Sequence, residues 1–437
     1  VGLGELNRLF GAPGGRRDGM VGWRHRASTR PSIFTPPIRV KRHESSAHSS
    51  GGVHMVLYVE PRSRGRGCAK NGRKPEEKED MSVNQFISVG ALAAVSTLTV
   101  TSARAQWSVT NLHPAGSTAS YAVASSGGQQ VGWAVVDGVD RAALWSGTAA
   151  SWVDLNPAGS TLSGARAISG GQQAGFARVD GVDRASLWSA TAASWVDLNP
   201  AGSLISEALA ISGGHQAGYA SVGGVVRASL WSSTAASWVD LTPAGSTRSS
   251  AYAISGGQQA GYADVDGTRR ASLWSSTAGS WVDLHPASAT FSIALAATGG
   301  QQAGYARVGG VDRAILWSGT AISWVDLSPA DSTASYAHAA SGGQQVGSAD
   351  VGGVARASLW SGTAATWVDL HAFLPAGFSS SVAMGISSDG VSTYIVGYGQ
   401  NTISGQTEAL LWTQPVPAPG AAALLAIGGV MAGRRRR

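Results

Sequence analysis

Between residues 107 and 412 short apolar runs alternate with breaks rich in Gly, Asp-Gly and Ser, and the pattern recurs every 43 residues. Leu-Trp ends at Trp145, Trp188, Trp231, Trp274, Trp317 and Trp360, and Trp-Val-Asp-Leu starts at Trp152, Trp195, Trp238, Trp281, Trp324 and Trp367. In the unit 118–157, breaks at 126–128, Asp137-Gly138 and 146–151 separate runs with strand-forming character. Gly and Asp-Gly tolerate the positive φ that tight hairpin turns require. The pattern predicts four strands, at 119–125, 129–136, 140–146 and 151–155, and no segment sustains a helical period. Four strands in about 43 residues is the length of a propeller blade.

Neighbouring residues of a strand point to opposite faces. The adjacent large residues Leu144-Trp145 and Trp152-Val153 therefore imply a sheet covered on both sides, as in a stack of blades. Fifteen of the 16 tryptophans lie in the repeats, and blade packing rather than ligand stacking is their expected role.

The ends of the repeat are complementary. A seventh Leu-Trp ends at Trp412 with no Trp-Val-Asp-Leu after it, and Trp107-Ser-Val-Thr-Asn-Leu112 has no Leu-Trp before it. The expected fold is an all-β, seven-bladed propeller in which the N-terminal strand completes the C-terminal blade. A solenoid would need capping ends instead.

Two charged positions also recur. Arg141, Arg184, Arg227, Arg270, Arg313 and Arg356 stand four residues before each Leu-Trp tryptophan, and Asp154, Asp197, Asp240, Asp283, Asp326 and Asp369 two after each second tryptophan. If Trp145 lies opposite Trp152, Ala143 faces Asp154 and Arg141 is its diagonal neighbour, within reach of an Arg side chain. A structural Arg–Asp pair is expected in each of these blades. In the odd blade the corresponding residues are Glu408 and Asn111, 297 positions apart, so both members change together. Trp107, Asn111, Glu408 and Trp412 are therefore the expected closure contacts. The last unit is longer, 52 residues between Leu-Trp pairs, with the extra length at His371–Gly377 and Thr402–Thr407. Drift in a closing blade accounts for it more simply than function does.

The net charge of +6 averages dissimilar parts. Residues 1–80 hold 16 of the 32 Lys+Arg against 8 acids, a net of +8, and Arg434, Arg435, Arg436 and Arg437 add four more. Residues 81–433 are left with 12 Arg and 18 acids, a net of −6, so the repeats are acidic and the basic pI gives no support to nucleic-acid binding. The stretch 1–80 reads as a disordered basic extension from a misassigned start. MSVNQFISVGALAAVSTLTVTSARA at 81–105 reads as a signal peptide, with cleavage between Ala105 and Gln106. Residues 106–414 form the expected propeller and 415–437 a sorting tail. The sole cysteine, Cys68, lies in the extension, so the exported chain carries neither disulfide nor thiol nucleophile.

The tail has Pro417, Ala418 and Pro419, the apolar run GAAALLAIGGVMAG, and a closing Arg434 to Arg437. It resembles the PEP-CTERM sorting signal of exported Gram-negative proteins, with Ala418 where the named motif has Glu. The resemblance implies reading at the membrane, transient membrane association and removal by an exosortase-type enzyme. The repeat A-x-A-I-S-G-G-Q-x-A-G-Y-A, then R-A-S-L-W and W-V-D-L, resembles the HAF-type extracellular repeat of bacteria over about 107–412. Here Arg replaces that family's His, and Ser or Ala usually replaces its Phe. This resemblance implies a secreted propeller-like protein and brings no catalytic residues.

No motif for nucleophilic catalysis, phosphate or zinc is present, and no cofactor or metal is expected. His113, His215, His285, His338 and His371 read as isolated positions without metal-ligand spacing. Asp264-Val-Asp266-Gly267 reads as a β-turn rather than a calcium loop. The expected function is an exported, monomeric cell-surface or matrix protein with a structural or interaction role and no catalysis. Its expected partners are extracellular polysaccharide or envelope proteins, and not nucleic acid. Alternatives are a multivalent lectin-like propeller, with a site repeated about seven times, and a propeller hydrolase or lyase.

Overall fold

The structure, a computed structural model, describes residues 106–416. The extension 1–80, the signal 81–105 with Ala105, and the tail from Pro417, Ala418 and Pro419 to Arg434–Arg437 lie outside the described residues. Seven four-stranded antiparallel sheets form a β-propeller. Blade one comprises Ser117–Ser126, Gln129–Val136, Val139–Trp145 and Val153–Asp154, and blades two to six repeat it at 43-residue steps. Blade seven takes Phe378–Ser388, Ser392–Asn401 and Thr407–Pro415 from the C-terminal side and its outer strand, Ser108–Asn111, from the other end of the ring. There Val109 pairs with Trp412 and Asn111 with Leu410.

The fourth strand is shorter than the sequence pattern suggests. A 3₁₀ turn at Ala149–Ser151 takes up most of the link, leaving Val153–Asp154 as the paired segment. Ser151 drives this locally: its hydroxyl donates to the Thr148 carbonyl (2.6 Å) and accepts from the Ser146 amide (2.8 Å). The two-sided burial also differs between the two tryptophan series. Trp145, Trp188, Trp231, Trp274, Trp317, Trp360 and Trp412 are completely buried between blades, but Trp152 and its equivalents are half-buried and Val153 is 39% exposed. The outer strand is a sheet edge with one neighbour, so adjacent large residues there do not mean two covered faces.

The blades are joined by one repeated hydrogen bond. A buried serine of each first strand accepts from an alanine amide in the third strand of the preceding blade. These are Ala142 to Ser163 (2.9 Å), Ala185 to Ser206 (2.9 Å), Ala228 to Ser249 (2.8 Å), Ala271 to Ser292 (2.8 Å), Ala314 to Ser335 (2.9 Å) and Ala357 to Ser381 (3.1 Å). Ala409 to Ser120 (2.9 Å) closes the circle across 289 residues. The same serine hydroxyl contacts the residue that follows each Asp-Leu or Asn-Leu. That residue is His113, His285 or His371 at three junctions, at 2.7–2.8 Å, and Asn156 or Asn199 at two others, at 2.6 Å. Three histidines that read as isolated thus share one repeat position; their spacings, 172 and 86 residues, are multiples of the period.

A buried glutamine staples each of blades one to six. Gln130 donates to the Gly128 carbonyl (2.7 Å) and accepts from the Gly147 amide (2.8 Å), tying the first hairpin turn to the link between third and fourth strands. Its counterparts Gln173, Gln216, Gln259, Gln302 and Gln345 do the same. In blade seven that position, opposite Trp412, is Ile395. The fourth strand there comes from the other end of the ring, so no such link exists to hold.

Candidate functional site

The six Arg–Asp pairs close at 2.9 Å (Arg141–Asp154), 2.8 Å (Arg184–Asp197), 2.7 Å (Arg227–Asp240), 2.9 Å (Arg270–Asp283), 2.8 Å (Arg313–Asp326) and 2.8 Å (Arg356–Asp369). Ala143 faces Asp154 in the register that places Arg141 on the diagonal. The other carboxylate oxygen of Asp154 accepts the Asn156 amide at 2.8 Å, so the aspartate also shapes the exit from the blade. None of these residues lines either of the two cavities at the axis. At the closure, Asn111 donates to Glu408 at 2.7 Å, joined by Asn401 at 3.0 Å and Ser404 at 2.6 Å. Burial would raise the Glu408 carboxyl, but the donors Asn401, Ser404 and Asn111 outweigh it and hold it below its ordinary range. The two longer segments of the last unit meet here, Thr402 donating to the Gly377 carbonyl at 2.7 Å. Trp107 is buried and packs in the same cluster as Trp412.

The site that repeat reasoning missed lies at the axis. In each first strand the ladder shifts register twice, once near the strand's start and once in mid-strand, as between Ala122 and Ala124, and the mid-strand shift leaves a β-bulge at the axis. The glycine opposite permits it, since a Cβ at Gly132 would collide with the Tyr121 carbonyl. The bulged residues are Val123, Arg166, Leu209, Tyr252, Leu295, His338 and Met384. These seven enclose a cavity of about 90 Å³, one from each blade, and so constrict the central channel.

Beside this constriction, sharing Tyr252 and His338 with it, opens a cup of about 810 Å³. It is lined from blades three to seven by the positions at which the units differ. Across the blades the sequence 121, 164, 207, 250, 293, 336, 382 reads Tyr, Gly, Glu, Ser, Ile, Tyr, Val. The framework positions, by contrast, stay Ser, Gln, Gly, Arg, Trp and Asp in nearly every blade. The varied residues sit at alternate positions on the first two strands and at one on the third, which places them on one face of each sheet.

Rings dominate the cup. Tyr305 meets Tyr336 edge-on at 4.9 Å and Phe291 at 5.5 Å, and Tyr252 lies 5.9 Å from Tyr262. Arg269 lies 4.0 Å over the Tyr262 ring and is bidentate to Asp264 at 2.9 and 3.1 Å. Arg307 is bidentate to Asp312 at 2.7 and 2.9 Å, and Tyr336 donates to Asp312 at 3.1 Å. Burial holds the hydroxyls of Tyr252, Tyr305, Tyr336 and Tyr398 protonated well above the ordinary tyrosine range. Burial likewise lowers His338 to about 4, while its Nδ1 lies 3.1 Å from the Ala383 carbonyl. That bond makes Nδ1 the protonated nitrogen of the neutral ring. Asp264-Val-Asp266-Gly267 is the end of a strand and its turn, with Asp266 at φ 52° and Gly267 at φ 74°. Among the described residues no group of three or more His, Cys, Asp or Glu is placed to hold a metal ion. No helix among them is long and apolar enough to cross a membrane. The cup was visible in the sequence in one respect: aligning the units by their period shows which positions change.

No family profile matches the chain, and neither does any curated protein. Among solved structures it is similar to puromycin hydrolase, with TM-score 0.45, 12% identity, and coverage of 66% of this chain and 53% of that one. It therefore spans about half the length of that enzyme. It is also similar to the β-propeller domain of the Trilobed protease from Pyrococcus furiosus (TM-score 0.44, 10% identity, 68% and 96% covered). A third is TolB from Acinetobacter baumannii (TM-score 0.38, 13% identity, 57% and 62% covered). The assignment of the fold rests on this chain's own strand pairing.

Proposed function

We propose that the ring is an exported, non-catalytic binding protein that takes one ligand in the axial cup. The observation that carries this is the contrast between a constant frame and varied residues that converge on one cavity. A multivalent lectin would need near-equal pockets in near-equal blades. The blades are near-equal, but the cup is built from what differs among them. Its tyrosines and paired charges suit a polar ligand with flat faces, such as a saccharide or peptide segment of the cell surface or matrix. Ser–His contacts occur at blade junctions, His113–Ser120, His285–Ser292 and His371–Ser381, where each serine accepts from a backbone amide. Ser117 beside His113 donates to the Pro114 carbonyl, and the exposed His215–Ser232 contact (2.9 Å) lines neither axial cavity. That favours binding over hydrolysis. The resemblances to HAF-type repeats and to a PEP-CTERM tail support export and cell-surface placement.

The test is titration of the purified protein with envelope polysaccharide fragments and extracellular peptides, followed by calorimetry and product analysis. One ligand per chain, weakened by Tyr305→Ala, is the expected result. About seven equivalents per chain, or turnover of the ligand, would overturn the proposal.

A further inference from the structure

One register position carries a charge pair in blades two, four and five and half of one in blades one and six, of which blade six lines the cup. The second-strand residue and its cross-strand partner are Arg178–Asp183 in blade two, Asp264–Arg269 in blade four and Arg307–Asp312 in blade five, each bidentate. In blade six the same register holds Asp350 opposite Ala355. The neighbour of Asp350 on the first strand is Ala334, where blade four has Arg248 and blade five Phe291. Blade six thus keeps the carboxylate, drops the cation and removes the bulk on both sides. Asp350 and Ala355 both face the cup, together with the ring of Tyr336. Burial raises the Asp350 carboxyl, and no ion pair to it forms among the described residues.

Resting on the reading of the cup as a ligand site, we propose that this notch binds the cationic group of the ligand, a guanidinium or an ammonium. Blade four shows the filled form within the same molecule: Arg269 holds Asp264 with two hydrogen bonds while its guanidinium lies over the ring of Tyr262. An external cation in blade six would complete the pair that Ala355 leaves open, in a partly dry site where charge-assisted hydrogen bonds are strongest.

Methylguanidinium and propylammonium, with N-methylurea and propanol as their neutral counterparts, would be titrated into the full chain by calorimetry. Cation binding with one site per chain, and none of the neutral counterparts, is expected. Two variants test the place. Asp350→Asn removes the charge, and Ala355→Arg fills the notch with an internal guanidinium as in blade four. Each should weaken cation binding by about tenfold or more, the scale of a lost charged hydrogen bond, with Trp fluorescence and Tm showing an intact ring. Stronger response to methylguanidinium would identify an arginine-like ligand group, and to propylammonium a lysine-like or amino-sugar group. No cation binding, or binding unchanged in both variants, would overturn the proposal. If an uncharged or anionic ligand then binds the cup, sensitive to Tyr305→Ala and not to Ala355→Arg, the notch falls and the cup stands. If no ligand responds to Tyr305→Ala, both fall.

Discussion

Asn111 and Glu408 stand 297 residues apart in the chain and 2.7 Å apart in the closing blade, where every other complete blade has an aspartate and an arginine. Glu facing Asp would have placed two carboxylates together; the amide of Asn111 instead donates to Glu408, and the longer loop adds Asn401 and Ser404. Asn111→Asp should therefore cost about 2–3 kcal/mol at neutral pH, by like-charge repulsion and a lost donor. Adding Glu408→Arg should recover much of that loss by restoring the pair of the other blades. Urea unfolding of the two variants checks both numbers, and equal stability of single and double variants would refute the pairing.

The seven Ser–amide junctions predict a uniform cost. Ser249→Ala leaves the buried Ala228 amide without its acceptor, and should cost about 1–3 kcal/mol. Ser120→Ala at the closing junction, where Ala409 donates, should cost a similar amount if the ring is closed by the same bond. A much smaller cost at Ser120 in thermal unfolding would mean that the closing junction contributes less than the rest.

An omission in blade one offers a stabilising change. Trp195, Trp238, Trp281 and Trp367 donate their indole N–H to Ser186, Ser229, Ser272 and Ser358 at 2.8–2.9 Å. In blade one that serine is Ala143, and the buried indole nitrogen of Trp152 has no partner. Ala143→Ser should raise stability by about 0.5–1.5 kcal/mol, visible as a higher midpoint in chemical denaturation. A lower midpoint would show that the site has no room for the hydroxyl.

His338 predicts an acid sensitivity of defined sign. Its pKa is about 4 in the ring against about 6.5 unfolded, so the unfolded chain binds the extra proton between those values. Stability on this account is full above about pH 6.5 and falls as pH drops towards 4. Because the ring is only half-buried at the channel wall, the loss should be roughly 1–2 kcal/mol. His338→Gln should flatten that part of the stability profile, and an unchanged slope would contradict the assignment.

Much of this molecule is legible in the chain because repetition makes local chemistry redundant. Gly-Gly and Asp-Gly turns, the paired tryptophans and the 43-residue period specify a four-stranded unit. The unmatched Trp412 and Trp107 specify that the ends meet. The Arg–Asp pairs follow too, since strand register alone sets a diagonal neighbour. What the chain did not show is where unlike units bring their differences. Tyr305, Tyr336 and Asp350 are separated by ordinary framework residues, and the mid-strand β-bulge of each blade, invisible to an alternation rule, turns His338 and its counterparts into the channel. Local sequence determined the blade and the count. Tertiary structure decided the cup, because only closing the ring gathers one varied face of each sheet around a common axis.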